Sequence, residues 1–262
     1  LKGGHSGFDI GKNRGNSAIE MANILSNIED CRIIDFVAGS KFNVIPSKAK
    51  TIIISTESEQ NVEKIVQDYA ISRKDIFPGI EASVKLLELD SYCALNEKES
   101  RRFINNILMF SHGVFRRNSK EEITTSINLG AVNLIEQVFK VGMRSSRKSE
   151  EKECLEYIKN YSEKVGFEFV VLGSQPGFET KSSSDFLKTI KEAYKQIGNE
   201  EDLKVKSVHI TVEAGFFRDK IEGLEIAIIS PKIENAHTPE ECVEIESVNR
   251  CDRWIRDIVE SL

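Results

Sequence analysis

No stretch of the chain holds an apolar run near the about 18 residues that a membrane-spanning helix needs, which excludes a helical crossing of a bilayer. No Cys-x-x-Cys pair occurs. The five cysteines, at 31, 93, 154, 242 and 251, are odd in number and scattered, the pattern of reduced cytosolic thiols rather than a disulfide framework. No basic stripe exists either. Thirty-six basic residues face 42 acidic ones for a net charge of −6, and the two basic clusters, Arg116-Arg117 and Arg144 to Lys148, are short, so nucleic acid is an unsuitable partner. Each cluster alone reads as solvated surface. Finally, none of the four histidines is followed two residues later by Asp. The Glu pairs at 121–122, 150–151 and 200–201 lie in polar runs that read as surface. A catalytic zinc takes about three protein ligands, and a paired site takes more. The expectation is that these residues alone do not assemble a metal centre.

What is present is ample apolar material. At 262 residues and 40% hydrophobic content, the chain can form one large or two ordinary domains. It opens at Leu1, inside a Gly-rich motif and with no signal peptide ahead of it, which suggests a fragment, a trimmed chain or a processed product. Ala18, Met21, Ala22, Leu25 and Ile28 recur at helical spacing, as do Val62, Ile65, Val66 and Tyr69, and later Cys154, Leu155, Ile158, Tyr161 and Val165. Glu97 to Phe110 reads as a further helix. Strands are expected over 32–38, 49–56, 84–89, 123–134, 138–144 and 167–172. In the fourth, Ile123, Thr125, Ile127 and Leu129 share one face. In the fifth, Phe139, Val141 and Met143 oppose Lys140, Gly142 and Arg144. This order suits an α+β layer sandwich with helices on one sheet face and a free face toward solvent, a partner or substrate.

Gly173-Ser174-Gln175-Pro176-Gly177 is the candidate boundary. Beyond it, Phe186, Leu187, Ile190, Ala193, Tyr194 and Ile197 stripe a helix that Ser183 or Ser184 could cap. Residues 205–210 and 224–229 read as strands, the second covered on both faces. Val248, Ile255, Ile258, Val259 and Leu262 mark a last helix. This is α/β texture, but too little of it for a free-standing doubly wound domain.

Five residues could carry chemistry. His237, in Asn235-Ala236-His237-Thr238-Pro239-Glu240-Glu241, lies past the strand at 224–229, and ligands of open α/β sheets gather at strand carboxyl ends. Imidazole suits zinc or manganese, although an ordinary surface histidine fits the residue taken alone. His5 stands in Gly3-Gly4-His5-Ser6-Gly7, where glycine lets backbone approach a ligand, or simply makes a flexible segment. Asn43 precedes Val44-Ile45-Pro46, also a commonplace turn sequence. Arg144 has a guanidinium able to grip a carboxylate through two parallel hydrogen bonds, or to sit exposed at a strand end. His209 opens His209-Ile210-Thr211-Val212-Glu213-Ala214-Gly215.

Together these motifs resemble the metal-dependent aminopeptidase and deacylase superfamily, and within it the aminoacyl-histidine (Xaa-His) dipeptidases. Leu1-Lys2-Gly3-Gly4-His5-Ser6-Gly7 and His237-Thr238-Pro239-Glu240-Glu241 with Val243, Ile245-Glu246-Ser247-Val248 carry the narrower likeness. The resemblance implies an α+β lid (dimerisation) domain over 1–173, followed over 174–262 by the C-terminal part of an α/β metallopeptidase catalytic domain whose N-terminal part is absent. It implies two divalent metal ions, zinc or else manganese or cobalt, one bound by His237, and a cytoplasmic homodimer paired through the lid. It further implies that His5 steadies the oxyanion of a dipeptide in the partner subunit's site while Asn43, His209 and Arg144 bind substrate, Arg144 at the terminal carboxylate. The general-base Glu and the other metal ligands of the family are not matched, so the chain alone is expected to bind metal poorly and to be inactive. His112 is expected to be structural. Ile210 and Thr211 depart from the Ala-Gly usual in the family, which keeps N-acyl amino acids and tripeptides open as substrates. A non-catalytic dimerisation or binding fragment is the remaining alternative.

Overall fold

The computed structural model describes residues 1–88, 90–177, 184–197, 203, 209, 213–234 and 241–262. They fall into two compact units, one of Leu1–Gly177 with Val208–Thr211, the other of Phe178–Ser207 with Val212–Leu262.

The first unit is a five-stranded antiparallel sheet with helices packed on it. Its elements are β1 (Gly4–His5), α1 (Ser17–Ser26), β2 (Arg32–Gly39), β3 (Val44–Ile45), β4 (Ala49–Ile54), α2 (Glu59–Arg73), α3 (Glu97–Leu108), β5 (Gly113–Arg117), β6 (Ile123–Asn133), β7 (Val138–Ser145) and α4 (Lys148–Val165). The longest strand, β6, organises the sheet. One of its edges pairs along its length with β7, from Thr125 opposite Ser145 to Asn133 opposite Val138. Its other edge is shared, β5 taking the first half and β2 the last three residues, and β4 then pairs outside β2.

The period-2 pattern of β6 decides what lies on each side. Ile127 and Leu129 are fully buried in a core shared with Phe36 of β2, Leu25 of α1, Ile104 and Ile107 of α3, and Cys154 of α4. Phe36, Phe103 and Phe139 stack edge to face through this core, with ring centroids 5.3 and 6.2 Å apart, and Phe167 continues the series at 5.0 Å from Phe139. Such pairs add about 0.5–1.5 kcal/mol each beyond burial. Helix ends are closed locally. Asn96 and Glu99 form a reciprocal capping box on α3. Asn16 caps α1 through Ala18 and donates to the Leu129 carbonyl, fixing the helix start on the sheet.

The opposite face of β6 is not free. Ser126, Asn128 and Gly130 point there, and residues Lys41 to Ile45 lie across them. Asn128 donates to the carbonyls of Phe42 (2.6 Å) and Val44 (2.9 Å). The backbone comes so close that a Cβ on Gly130 would stand 2.6 Å from the Phe42 Cα, and one on Gly142 would overlap the Phe42 carbonyl. The polar alternation in β7 thus marks a face covered by this chain's own backbone.

Three expected strands are absent. Residues 84–88 and 167–172 form none, Leu89 lies outside the described residues, and no strand among the described residues pairs with them; Phe169, Ala82 and Val84 pack singly on the core while Leu86 and Leu172 remain exposed. Apolar content makes a strand only where a neighbour supplies the ladder. The same holds for 224–229, where Ile228 is exposed rather than covered on both faces. The strand expected over 205–210 lies outside the described residues except at His209.

The second unit contains α5 (Asp185–Ile197), α6 (Ala214–Lys220), the short pair β8 (Ile233–Glu234) and β9 (Cys242–Val243), and α7 (Ile245–Ser261). The Ser184 hydroxyl accepts from the Leu187 N–H at the start of α5; Ser183 lies outside the described residues. Helices α5 and α7 pack through Ile190, Ala193 and Ile258, and the Trp254 indole donates to the Ile190 carbonyl at 2.8 Å. No described helix is long and apolar enough to cross a membrane.

Leu129→Ala is expected to destabilise the first unit by about 2–5 kcal/mol, because it empties a fully buried site. Ile135→Ala, at an exposed position, should change stability by less than about 0.5 kcal/mol. Urea unfolding of both variants checks the pair; equal effects would contradict the placement of β6.

Candidate functional site

The covered face of the sheet collects four of the five sequence candidates. Val44 and Ile45 form β3, which pairs antiparallel with β1 so that His5 lies opposite Val44 and Gly4 opposite Ile45. The Asn43 carbonyl accepts from the Ser6 N–H at 3.1 Å. The segment held by Asn128 therefore sets both Asn43 and the His5 turn in place. His5 Nδ1 accepts from the backbone N–H groups of Gly7 (3.1 Å) and Phe8 (3.2 Å), which leaves the proton of a neutral ring on Nε2.

Arg144 enters from β7. It sits directly across from Ser126 and so shares the covered face, half-buried instead of exposed at a strand end. Its Nε and Nη2 both lie 3.4 Å from the hydroxyl of Ser6, a residue only 3% exposed. Ser6 thus touches two candidates at once, Asn43 through its backbone and Arg144 through its side chain. Burial lowers the pKa of Arg144 from its ordinary value. A guanidinium remains charged all the same, so the site offers a partly desolvated cation.

His209 completes the group. Its Nε2 is 2.8 Å from the Ser126 hydroxyl, and a Cβ on Gly7 would overlap the His209 carbonyl. Burial first, and the Arg144 charge second, push its pKa down to about 4, partly opposed by a backbone hydrogen bond with Ile123. At neutral pH, Arg144 therefore carries its charge and His209 is a neutral hydrogen-bonding ring. The remaining candidate, His237, lies outside the described residues.

Under this face a second polar layer steadies β6 and β7. Glu150, in the first turn of α4, accepts from Thr124 (2.7 Å), Thr125 (2.6 Å) and Arg147 (3.2 Å), and Thr125 meets Ser145 at 2.8 Å. Burial works against its ionised form, but the hydrogen bonds from Thr125, Thr124 and Arg147 and the charge of Arg147 prevail and hold it below the usual carboxylate range. His112 is tied to β6. Its Nδ1 accepts from the Leu129 N–H at 3.2 Å, and burial drives its pKa to about 4.

Ser6, Ser126 and Asn128 were not singled out from sequence. The signal was there: placing Thr125, Ile127 and Leu129 on one face of β6 leaves Ser126, Asn128 and Gly130 on the other, opposite Arg144 and Gly142. As for a metal, among the described residues no group of three or more His, Cys, Asp or Glu side chains could hold an ion. The described residues do not by themselves fit a metal centre. What they offer is a desolvated guanidinium, a fixed neutral imidazole and neighbouring hydroxyl and amide groups: recognition of an anion beside a polarisable bond.

The pattern that defines peptidase family M20/M25/M40 matches residues 18–261. A cytosol non-specific dipeptidase of Escherichia coli (strain K12) is 28% identical over 260 residues, covering 95% of this chain and 53% of that protein. The crystal structure of an aminoacylhistidine dipeptidase from Vibrio alginolyticus superposes with a TM-score of 0.81 at 24% identity, covering all of this chain and 56% of that one. The chain thus spans about half the length of the relatives it matches.

Two buried neutral histidines make stability pH-dependent in a defined direction. His112 and His209 fall from 6.5 in the unfolded chain to about 4 in the fold, so between those values the unfolded state binds more protons. Their contribution is complete above pH 6.5 and is lost as pH falls toward 4. Histidine NMR titrations should place both midpoints near 4, with unfolding free energy declining over that window. A midpoint near 6.5 for either ring would contradict its burial.

Proposed function

Because the chain belongs to peptidase family M20/M25/M40, we propose that it serves the metal-dependent hydrolysis of dipeptides, including Xaa-His dipeptides, as part of a cytoplasmic homodimeric enzyme. In this reading residues 1–173 are the lid through which two copies pair, and 174–262 are the C-terminal part of the catalytic domain. The observation that carries it is the joining of Arg144 and the His5 turn through Ser6 on one covered sheet face. Arg144 takes the terminal carboxylate of the substrate, displacing the Ser6 hydroxyl. Asn43 and His209 line the bound dipeptide. The Nε2–H of His5 donates to the carbonyl oxygen as it gains charge. Since Ser6 ties the two groups together, His5 and Arg144 serve the same catalytic centre, which we place in the partner subunit.

His237 is assigned to one of two divalent ions, zinc or else manganese or cobalt, which supply the activated water when bound. The other ligands and the general base are assigned to sequence outside these 262 residues, so the chain by itself is expected to be inactive. N-acyl amino acids and tripeptides also end in a free carboxylate, so Arg144 alone does not exclude them.

Hydrogen bonds to charged groups contribute about 1.5–3 kcal/mol, so Arg144→Ala in the active enzyme should lower kcat/KM by roughly 10- to 100-fold, chiefly through KM. Dipeptides amidated at the C-terminus should show little further loss on the same substitution. Equal losses for free and amidated substrates would remove Arg144 from the carboxylate site. For His5, mixing His5→Ala subunits with subunits disabled only in the metal site should restore activity; mixtures as inactive as their parents would refute action across the dimer. Metal analysis of the purified 262-residue chain should find less than one ion per chain. A stoichiometric pair with no dipeptide turnover would favour a binding protein instead.

A further inference from the structure

The side chain of His5 folds back on its own turn, and the closing residue of that turn is Asp9. The Asp9 N–H donates to the His5 carbonyl at 2.9 Å, and Asp9 Oδ2 accepts from the His5 N–H, also at 2.9 Å. Both backbone polar groups of His5 are thus tied to one residue four positions on. Between them, the N–H groups of Gly7 and Phe8 converge on Nδ1 of the ring, and the Phe8 ring lies beside the imidazole with centroids 5.2 Å apart.

The Asp9 carboxylate is itself anchored, by Lys12 at 3.0 Å and Arg14 at 3.6 Å. Burial opposes its ionisation, but the hydrogen bonds from Lys12 and from the His5 backbone outweigh it, and the carboxyl stays below its usual range. Room for it depends on Gly4, where a Cβ would stand 2.7 Å from Asp9 Oδ2. Glycine at position 4 and aspartate at position 9 are therefore two halves of one device around His5.

We propose that Asp9 is a positioning residue: by holding both backbone groups of His5 it aims two N–H donors at Nδ1 and locks the ring in its Nε2–H tautomer. A ring so held presents a standing hydrogen-bond donor at Nε2. Taking up a second proton would require Nδ1 to give up two backbone hydrogen bonds, so His5 is built to stabilise charge rather than to carry protons. What Nε2–H would face rests on the dipeptidase reading above. The tautomer lock itself is a property of residues 4–14.

The test is long-range 1H–15N correlation of histidine-labelled protein at about pH 8.5, two units above the ordinary histidine pKa. His5 signals are assigned by their loss in His5→Gln. A single tautomer is expected, with Nδ1 unprotonated and Nε2 protonated. Asp9→Ala should move both nitrogens toward the averaged shifts of a tautomer mixture, while Asp9→Asn, whose amide oxygen still accepts from the His5 N–H, should largely restore them. Gly4→Ala, which drives a methyl group into the carboxylate, should mimic Asp9→Ala. Unchanged His112 and His209 signals show that the fold persists; if Asp9→Ala disturbs them, Gly4→Ala decides. An Nδ1–H tautomer in the unaltered protein, or His5 shifts indifferent to Asp9→Ala or Gly4→Ala, overturns the proposal. No hydrolysis is measured, so this outcome is independent of whether dipeptides are substrates.

Discussion

The arrangement of the first unit depends on Asn128. It lies in the middle of β6, fully buried, and its amide donates to two carbonyls of the same short segment, those of Phe42 and Val44. A strand crossing the flat of a sheet would otherwise leave those carbonyls unsatisfied, at a cost of about 1–3 kcal/mol each. One side chain answers both. Gly130 and Gly142 remove the Cβ atoms that would hold the segment away, so the amide can reach. Everything above that layer follows in sequence: Val44 and Ile45 pair with Gly4 and His5, the Asn43 carbonyl takes the Ser6 N–H, and Ser6 meets Arg144.

Covering the face also sets its electrostatics. Removing water from Arg144 and His209 acts on them oppositely in practice, although burial disfavours the charged form of both. The guanidinium begins so far above neutral pH that lowering it leaves the charge intact, whereas the imidazole starts at 6.5 and is driven to about 4. The Arg144 charge adds to the second effect. The partly desolvated Arg144 guanidinium is a stronger magnet for an anion than the same cation in water, because the local dielectric is lower. Asn128 Oδ1 is buried without a protein partner on this face, a further polar atom whose cost is tolerated where the layer is assembled.

How much of this could be read from sequence depended on the range of the interaction. Helix stripes such as Ala18 to Ile28 are local, and α1 appears where the spacing puts it. The face assignment of β6 is also local, and Ile127 and Leu129 are fully buried on the face where the alternation puts them. Pairing partners are not local. Val170, Val171 and Leu172 look like a strand, yet no strand among the described residues pairs with them and they stand exposed. The candidates His5, Asn43, Arg144 and His209 were legible through their motifs, but nothing in those motifs says that a serine beside the histidine bridges to the arginine. That contact spans 138 positions and exists only because β3 crosses the sheet. Residues 224–229 show the same limit from the other side: the run is apolar enough for a buried strand, but no strand pairs with it among the described residues, in a chain spanning about half of its relatives.

The manner of assembly bears on selectivity. Arg144 is fixed by its cross-strand register with Ser126, and His5 by its pairing with Val44, both elements being anchored to the same strand, β6. The separation between guanidinium and imidazole is therefore a sheet dimension, not the sum of flexible side-chain reaches. Under the proposed function, a substrate whose carboxylate sits on Arg144 presents to His5 whichever carbonyl lies that fixed distance along it. Chain length would then be read by a rigid gauge, at little entropic cost, since its two ends are already held before substrate arrives.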